Sequence, residues 1–301
     1  MIWGIINTYH SLANDIANIL KCISHKVLIL KNLDDIVNQK FDIAYVGNVD
    51  NFKHDIVSKL IQQKKHILCE PPILWDSNQF LDILKLLNIE KRFFMEVIPS
   101  RFLPIYQRLR HQLKMKTIGN ISFISANISF SNYKNIEKYF AYKKLLPVKK
   151  LDEAFIYPLH LIQMVYQQLP ENVTLNSTVN SKNHMISKIM VYPNDKFAFT
   201  QLSSNLHLPN EAYICGTKGN IKICEPFWLP SKMIINDVVY DYPLDFQGTY
   251  TTYKNYVGFI YMAKEIEACI QAGLIESPWL THQNSIDLAS IYSMFINKIK
   301  I

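Results

Sequence analysis

The chain has 301 residues, of which 49% are hydrophobic and 12% aromatic, so it can bury a large core and general disorder is excluded. The formal net charge is +7, but the basic residues are scattered, which argues against a nucleic-acid or membrane surface. Five cysteines without Cys-x-x-Cys spacing argue against a disulfide framework and a zinc site. With no signal-type or membrane-length apolar run, we expect a cytoplasmic protein without a metal centre.

The first hundred residues alternate between short buried strands and amphipathic helices. Apolar runs that predict strands lie at 2–6, 26–30, 42–47, 66–69 and 93–98. Helical spacing of apolar residues separates most of them, as in the predicted helix at 10–22. This alternation implies right-handed βαβ crossovers and a parallel, doubly wound sheet.

The pattern changes after about residue 115. A long strand is predicted at 118–131, and a helix at 157–169 precedes several strand-like runs without helices between them. This order indicates an α+β domain with a largely antiparallel sheet, closed by two helices at roughly 250–271 and 283–299. We therefore predict two domains, 1–115 and 116–301.

Several short motifs resemble those of the glucose–fructose oxidoreductase/inositol dehydrogenase (Gfo/Idh/MocA) family. Residues 65–72 (KHILCEPP) are similar to the family segment G-K-H-V-L-C-E-K-P. Residues 95–104 are similar to its M-E-A-x-x-x-R-F-x-P run. Further matches lie at 153–160 (L-D-x-G-x-Y-P-L), at 216–228 (G-T-x-G-x-I and P-F-W) and at 273–285 (G-L-x-E-S-P and D-S-L). The nearest branch resembles the dihydrodiol/D-xylose dehydrogenases.

This resemblance spans nearly the whole chain and implies an α/β fold. A shortened Rossmann-like domain with a parallel sheet would be followed by an α+β domain with a large, mostly antiparallel open sheet. The resemblance also implies NAD or NADP as cofactor and a sugar or other small hydroxy compound as substrate. It further implies a homodimer built through the open sheet face.

The turn expected to hold the cofactor departs from the family pattern. A glycine-rich G-x-G-x-x-[GA] turn lets the backbone approach a pyrophosphate closely, but residues 7–12 contain no glycine. Asn7 tolerates a left-handed backbone, whereas Tyr9 places a large side chain where the phosphates should lie. The site is therefore expected to be degenerate. Its candidate cofactor contacts are Asn7, Thr8, Asn48 and Glu70.

Two other positions depart from the family. Between the first helix and the strand at 42–47 the family has two strands, whereas this chain has only the strand at 26–30. We therefore expect the β2 unit to be missing, and with it the residue after β2 that contacts the adenosine ribose. Lys31 could replace that ribose contact and would favour a 2′-phosphate. The lysine of the family's E-K-P segment is implied to assist proton transfer, and here that position is Pro71, which has no ionisable group.

The resemblance makes Tyr157 the candidate acid/base, with Glu153 one helical turn before it. A tyrosine has a reference pKa near ~10 and needs a cationic neighbour to act near neutral pH. With the family lysine replaced, His160 or Lys149 and Lys150 would have to supply that charge. The alternative is that Tyr157 and His160 are packing residues of an amphipathic helix.

Two functions remain open from the sequence. The eroded cofactor turn, the shortened first domain and Pro71 favour a catalytically impaired relative, or a non-catalytic ligand-binding or partner subunit. This first function is the one that the sequence favours. The retained Tyr157 and intact second domain leave an active NAD(P)-dependent dehydrogenase or reductase as the alternative.

Overall fold

The computed structural model describes residues 1–6, 10–23, 25–30, 33–47, 53–71, 77–131, 154–179, 184–204, 206–244 and 257–296. These residues form two compact units. One contains the described residues of 1–102 and 246–289, and the other contains those of 103–137, 142–245 and 290–301.

The first unit is built on a sheet of five parallel strands. In sheet order they are β2 (Lys26–Leu30), β1 (Ile2–Ile6), β3 (Ile43–Val46), β4 (His66–Cys69) and β5 (Phe94–Glu96). The helices that alternate with these strands are α1 (His10–Cys22), α2 (Leu33–Asn38), α3 (Lys53–Gln62) and α4 (Ser77–Glu90). The central strands are buried throughout, as expected for parallel strands covered on both faces. The predicted doubly wound sheet is confirmed.

The structure places the shortening of this sheet at its edge. β2 pairs with β1 residue by residue, from Ile2↔Lys26 to Ile6↔Leu30. In a doubly wound sheet of order 3-2-1-4-5, the strand beside the first is the second strand. β2 occupies this position, and no strand lies outside it among the described residues. The sheet is thus shortened on this side, because the chain passes from β2 through α2 directly to β3 on the other side of β1. The expected loss of the family's β2 unit stays a prediction.

A helix from the C-terminal part of the chain completes the core of the first unit. Phe259 begins helix α7 and is fully buried, with its ring centroid 6.0 Å from Trp3 and 5.9 Å from Tyr45. Burying a phenylalanine side chain contributes roughly 1.5–3 kcal/mol, which favours this placement. The structure thus assigns residues 257–289 to the first unit, whereas the sequence-based boundaries had placed them in the second domain.

The second unit is built on an eight-stranded sheet. The remaining helices of the chain are α5 (Pro104–Lys114), α6 (Ile156–Tyr166), α7 (Phe259–Gln271) and α8 (His282–Ile296). The strands of this sheet are β6 (Ile121–Ser129), β7 (Asn172–Val179), β8 (His184–Tyr192), β9 (Lys196–Ser203), β10 (Ala212–Gly216), β11 (Gly219–Ile223), β12 (Lys232–Ile235) and β13 (Val238–Asp241). Their order is β13-β12-β11-β10-β6-β9-β8-β7, and β6–β9 is the parallel pair in an otherwise antiparallel sheet. This agrees with the predicted mostly antiparallel sheet.

Two glycines form the tight hairpin between β10 and β11. Gly219 has φ +150°, and a Cβ there would lie 1.8 Å from the Asn236 side-chain oxygen. A Cβ at Gly216 would lie 2.3 Å from the Ile118 carbonyl oxygen. The G-T-x-G motif is therefore explained by backbone conformation and close packing.

The imidazole of His66, at the start of β4, gives the first unit a pH-dependent contact. Its Nδ1 accepts a hydrogen bond from the Phe93 backbone N–H at 3.0 Å, which requires an unprotonated Nδ1. Burial, and next the Arg92 charge, lowers the pKa of His66. With the folded-state pKa below the unfolded value near ~6.5, this contribution to stability is present above about pH 6.5 and is lost as the pH falls.

We predict that the urea midpoint falls between about pH 7 and pH 5, and that His66→Asn reduces this pH dependence. Ile89→Asn, at an exposed position of α4 without an ionisable side chain, is the control and should leave the dependence as in the wild type. An identical pH dependence in His66→Asn and the wild type would contradict the assignment.

Candidate functional site

The carboxyl ends of β1, β3 and β4 lie side by side at one edge of the parallel sheet. The register pairs Ile6 with Val46 and Val46 with Cys69. The pairing continues one residue further, because the Gly47 N–H donates to the Ile6 carbonyl at 2.7 Å and the Glu70 N–H to the Val46 carbonyl at 2.9 Å. The strand order reverses between β1 and β3, and ligands of open α/β sheets bind at such a switch point.

A helix begins close to this switch point. Helix α1 begins at His10, four positions after β1 ends at Ile6, and is 13 residues long. A helix N-terminus placed there presents backbone N–H groups and a positive dipole end to a pyrophosphate. The predicted cofactor contacts Asn7, Thr8 and Asn48 lie outside the described residues, as do Tyr9 and Lys31.

Glu70, the predicted cofactor contact at the end of β4, is held on two sides. The buried Tyr45 hydroxyl donates to its carboxylate, and Lys53 Nζ donates to its backbone carbonyl at 3.0 Å. The half-buried Pro71 follows immediately. The structure thus brings a carboxylate, a phenol and an ammonium group together at the corner where the sequence suggested only Glu70.

Cys69, the last residue of β4, is not a nucleophile at neutral pH. Burial raises the pKa of its thiol to about 12, although the Lys53 charge acts in the opposite direction. Reactive cysteines have lowered pKa values and some exposure, whereas Cys69 is fully buried. We therefore assign no catalytic role to the Cys69 thiol.

Other motif residues of the first unit have a structural role. The Glu96 carboxylate at the end of β5 accepts a hydrogen bond from Ser285 Oγ at 2.6 Å. The Arg101 guanidinium donates to the Trp279 carbonyl at 3.3 Å and to Asn284 Oδ1 at 3.1 Å. Glu96 and Arg101 are nearly fully buried, so these charge-assisted bonds attach the start of α8 to the end of the sheet.

In the second unit, α6 carries two of the predicted catalytic residues. Tyr157 is half-buried, and its ring centroid lies 6.3 Å from that of Trp228. His160 is one helical turn further along and is 1% exposed, which favours a packing role for this residue. Glu153, Lys149 and Lys150 lie outside the described residues.

Sequence reasoning assigned no role to Lys188, a buried lysine in the same unit. It lies on β8 and is 1% exposed. Its Nζ is 3.9 Å from the ring centroid of Phe155, 4.7 Å from Phe295 and 5.5 Å from Tyr292. Such cation–π contacts favour a buried ammonium group. Lys188 lies at a position of β8 where the strand alternation directs side chains into the core, and this alternation is the sequence signal that could have indicated its burial.

The described residues contain no group of three or more His, Cys, Asp and Glu side chains that could hold a metal ion. Within the same part of the chain, no helix is long and apolar enough to cross a membrane.

Known proteins have sequences similar to this chain. A family model described as an oxidoreductase family with an NAD-binding Rossmann fold (Gfo/Idh/MocA) matches residues 2–96. The trans-1,2-dihydrobenzene-1,2-diol dehydrogenase of Xenopus tropicalis is 29% identical over 263 residues, which cover 86% of this chain and 79% of that protein. The predicted resemblance to Gfo/Idh/MocA oxidoreductases is confirmed.

Solved structures share the fold at low identity. An oxidoreductase from Agrobacterium radiobacter in complex with NAD⁺, L-tartaric acid and magnesium has a TM-score of 0.76 and 10% identity, covering 97% of this chain and 94% of that one. An aldose-aldose oxidoreductase from Caulobacter crescentus complexed with glycerol has a TM-score of 0.70 and 14% identity, covering 98% and 96%. These similarities confirm the predicted fold class.

Removing the Tyr45 hydroxyl tests the hydrogen bond that holds Glu70. Because the acceptor is a carboxylate, Tyr45→Phe should lower the free energy of unfolding by about 1–2 kcal/mol, measured by urea denaturation. Glu70→Gln, which keeps a neutral acceptor, should cost less. Equal stability of Tyr45→Phe and the wild type would show that the bond contributes nothing.

Proposed function

We propose that the protein is an NAD(P)-dependent dehydrogenase or reductase acting on a sugar or other small hydroxy compound. The observation that carries this proposal is the full pairing of β2 with β1. In doubly wound folds, the residue that reads the adenosine ribose follows the strand beside β1, and β2 occupies that position in this chain. Lys31 follows it directly, and its positive charge favours the 2′-phosphate of NADP.

The reaction we propose is reversible oxidation of a hydroxyl group. The carbinol C–H bond breaks and its hydride passes to the bound nicotinamide, while the hydroxyl proton passes to a base. Tyr157 is the proposed base, with Glu153 orienting it. His160 is the third candidate, although its burial favours a supporting role. The diol named for the Xenopus relative, trans-1,2-dihydrobenzene-1,2-diol, is the first substrate to test.

A catalytically impaired relative, or a non-catalytic ligand-binding or partner subunit, is the second candidate. The observation that favours it is the cofactor turn, because residues 7–12 contain no glycine and include Tyr9. Pro71 supports it as well, since it cannot transfer a proton. Such a protein would keep the fold and bind a sugar-like ligand without hydride transfer.

Titration with NADPH and NADH separates these candidates. We predict micromolar NADPH binding by fluorescence or calorimetry, with weaker NADH binding. Lys31→Glu should weaken NADPH binding by about tenfold, or ~1.4 kcal/mol, and leave NADH binding nearly unchanged. If neither dinucleotide binds, the enzyme proposal fails and the non-catalytic candidate takes its place.

We also propose that the protein forms a homodimer through the outer face of the large sheet. Val191 on β8 faces Phe197 on β9, and they are 42% and 48% exposed. Phe123 on β6 lies beside Phe197, with ring centroids 6.1 Å apart, and Ile189 is 38% exposed. Contiguous apolar side chains on an open sheet face are typical of protein interfaces.

Charge placed on this face should dissociate the dimer. The double variant Ile189→Lys/Phe197→Lys is expected to elute as a folded monomer in size-exclusion chromatography with light scattering, whereas the wild type elutes as a dimer. Val238→Lys/Val239→Lys on β13, at the far edge of the sheet, is the control, with both residues 55% exposed. A monomeric wild type, or a dimeric Ile189→Lys/Phe197→Lys variant, would overturn the proposal.

A cytoplasmic location is our proposal for the compartment. None of the five cysteines, all of which lie in the described part of the chain, forms a disulfide, and Cys69 and Cys269 are buried. Free buried thiols agree with a reducing compartment.

A further inference from the structure

The most informative departure from the family lies at the corner formed by Glu70 and Pro71. The resemblance implies a lysine directly after the glutamate, where it would assist proton transfer, and Pro71 has no such group. The substrate oxygen of a hydroxyl oxidation still gains negative charge as its proton leaves. A preorganised positive charge near that oxygen would stabilise the developing charge.

Lys53 places an ammonium group at this corner from a different element. Its Nζ lies 3.0 Å from the Glu70 carbonyl oxygen. That oxygen belongs to the planar peptide group that joins Glu70 to Pro71. The Lys53 ammonium therefore lies beside the backbone from which the family's lysine side chain would start, although Lys53 itself begins α3, seventeen positions before Glu70.

Charges of both signs lie around the end of β4, close to Lys53. The Lys53 charge opposes the burial-driven rise in the pKa of Cys69, so the ammonium lies within electrostatic range of the end of β4. Glu70 and Glu96 act on the same thiol with the opposite sign, so the corner also carries negative charge. Lys53 is half-buried, and its four-carbon stem brings the head group to the Glu70 carbonyl.

We propose that Lys53 supplies, from α3, the cationic group that the family places after the glutamate. This inference rests on the proposed dehydrogenase function. The ammonium donates a hydrogen bond to the substrate oxygen and stays protonated throughout. The hydroxyl proton leaves to the base and the carbinol hydride passes to the nicotinamide, so Lys53 changes neither its charge nor its covalent state.

Chemical labelling tests where Lys53 lies relative to a bound dinucleotide. The full-length protein is reductively methylated with and without saturating NADPH, and labelling rates are measured by mass spectrometry. NADPH should slow the labelling of Lys53 several-fold and leave Lys59 unaffected. Lys59 is a matched control because it is an exposed lysine on the same helix.

Kinetic variants test the role of the charge. With the diol and NADP⁺, Lys53→Met should lower kcat by about 100-fold, the scale of a lost group that assists proton transfer. Its dissociation constant for NADPH should stay within about twofold, well below 1 kcal/mol. Lys59→Met should behave as the wild type. The double variant Lys53→Met/Pro71→Lys should recover part of the lost kcat, because it returns the charge to the family position.

The outcomes separate the two proposals. If neither dinucleotide binds the wild type, the proposed function fails and this inference fails with it. If NADPH binds but the labelling of Lys53 does not change, the inference alone is overturned. An unchanged kcat in Lys53→Met would also overturn it, while the dehydrogenase function would stand.

Discussion

The pairing of β1 with a parallel strand on each side is the constraint on which the first unit depends. β2 and β3 flank β1 in matching register, so their carboxyl ends meet at one edge. Helix α1 starts four positions after the end of β1 at this edge. The site therefore follows from strand order: shortening the sheet at its outer edge leaves the switch point intact, whereas loss of β2 would have removed the residues that follow it.

Glu70, at the end of β4, accepts hydrogen bonds from two other elements. Tyr45 on β3 donates to the Glu70 side chain, and Lys53 on α3 donates to its carbonyl. Pro71 cannot provide a cation, and the nearby ammonium group offers a physical route by which proton-transfer chemistry could persist. Under our proposals, neither the shortened domain nor Pro71 requires a non-catalytic protein. The glycine-free turn remains as the third sequence argument for such a protein.

Much of the fold could be predicted from the sequence, because short apolar runs bounded by polar residues mark the five parallel strands. Local sequence patterns do not predict features that depend on backbone conformation or on contacts between residues distant in sequence. Helix α6 ends at Tyr166 rather than at 169, because Gln167 adopts a left-handed backbone with φ 50°. Placing α7 in the first unit depends on Phe259 packing against Trp3, more than 250 positions away in sequence. The role of Lys53 could not be predicted either, since the direction of its side chain is set by the fold.

A crystal structure of the protein with NADPH would test the central claim most directly. We predict that the pyrophosphate lies at the N-terminus of α1 and that the nicotinamide end of the dinucleotide lies beside Lys53 and Glu70. A structure in which the Tyr9 side chain occupies the pyrophosphate position, with no dinucleotide bound, would contradict the account and favour a protein that has kept the fold without the chemistry.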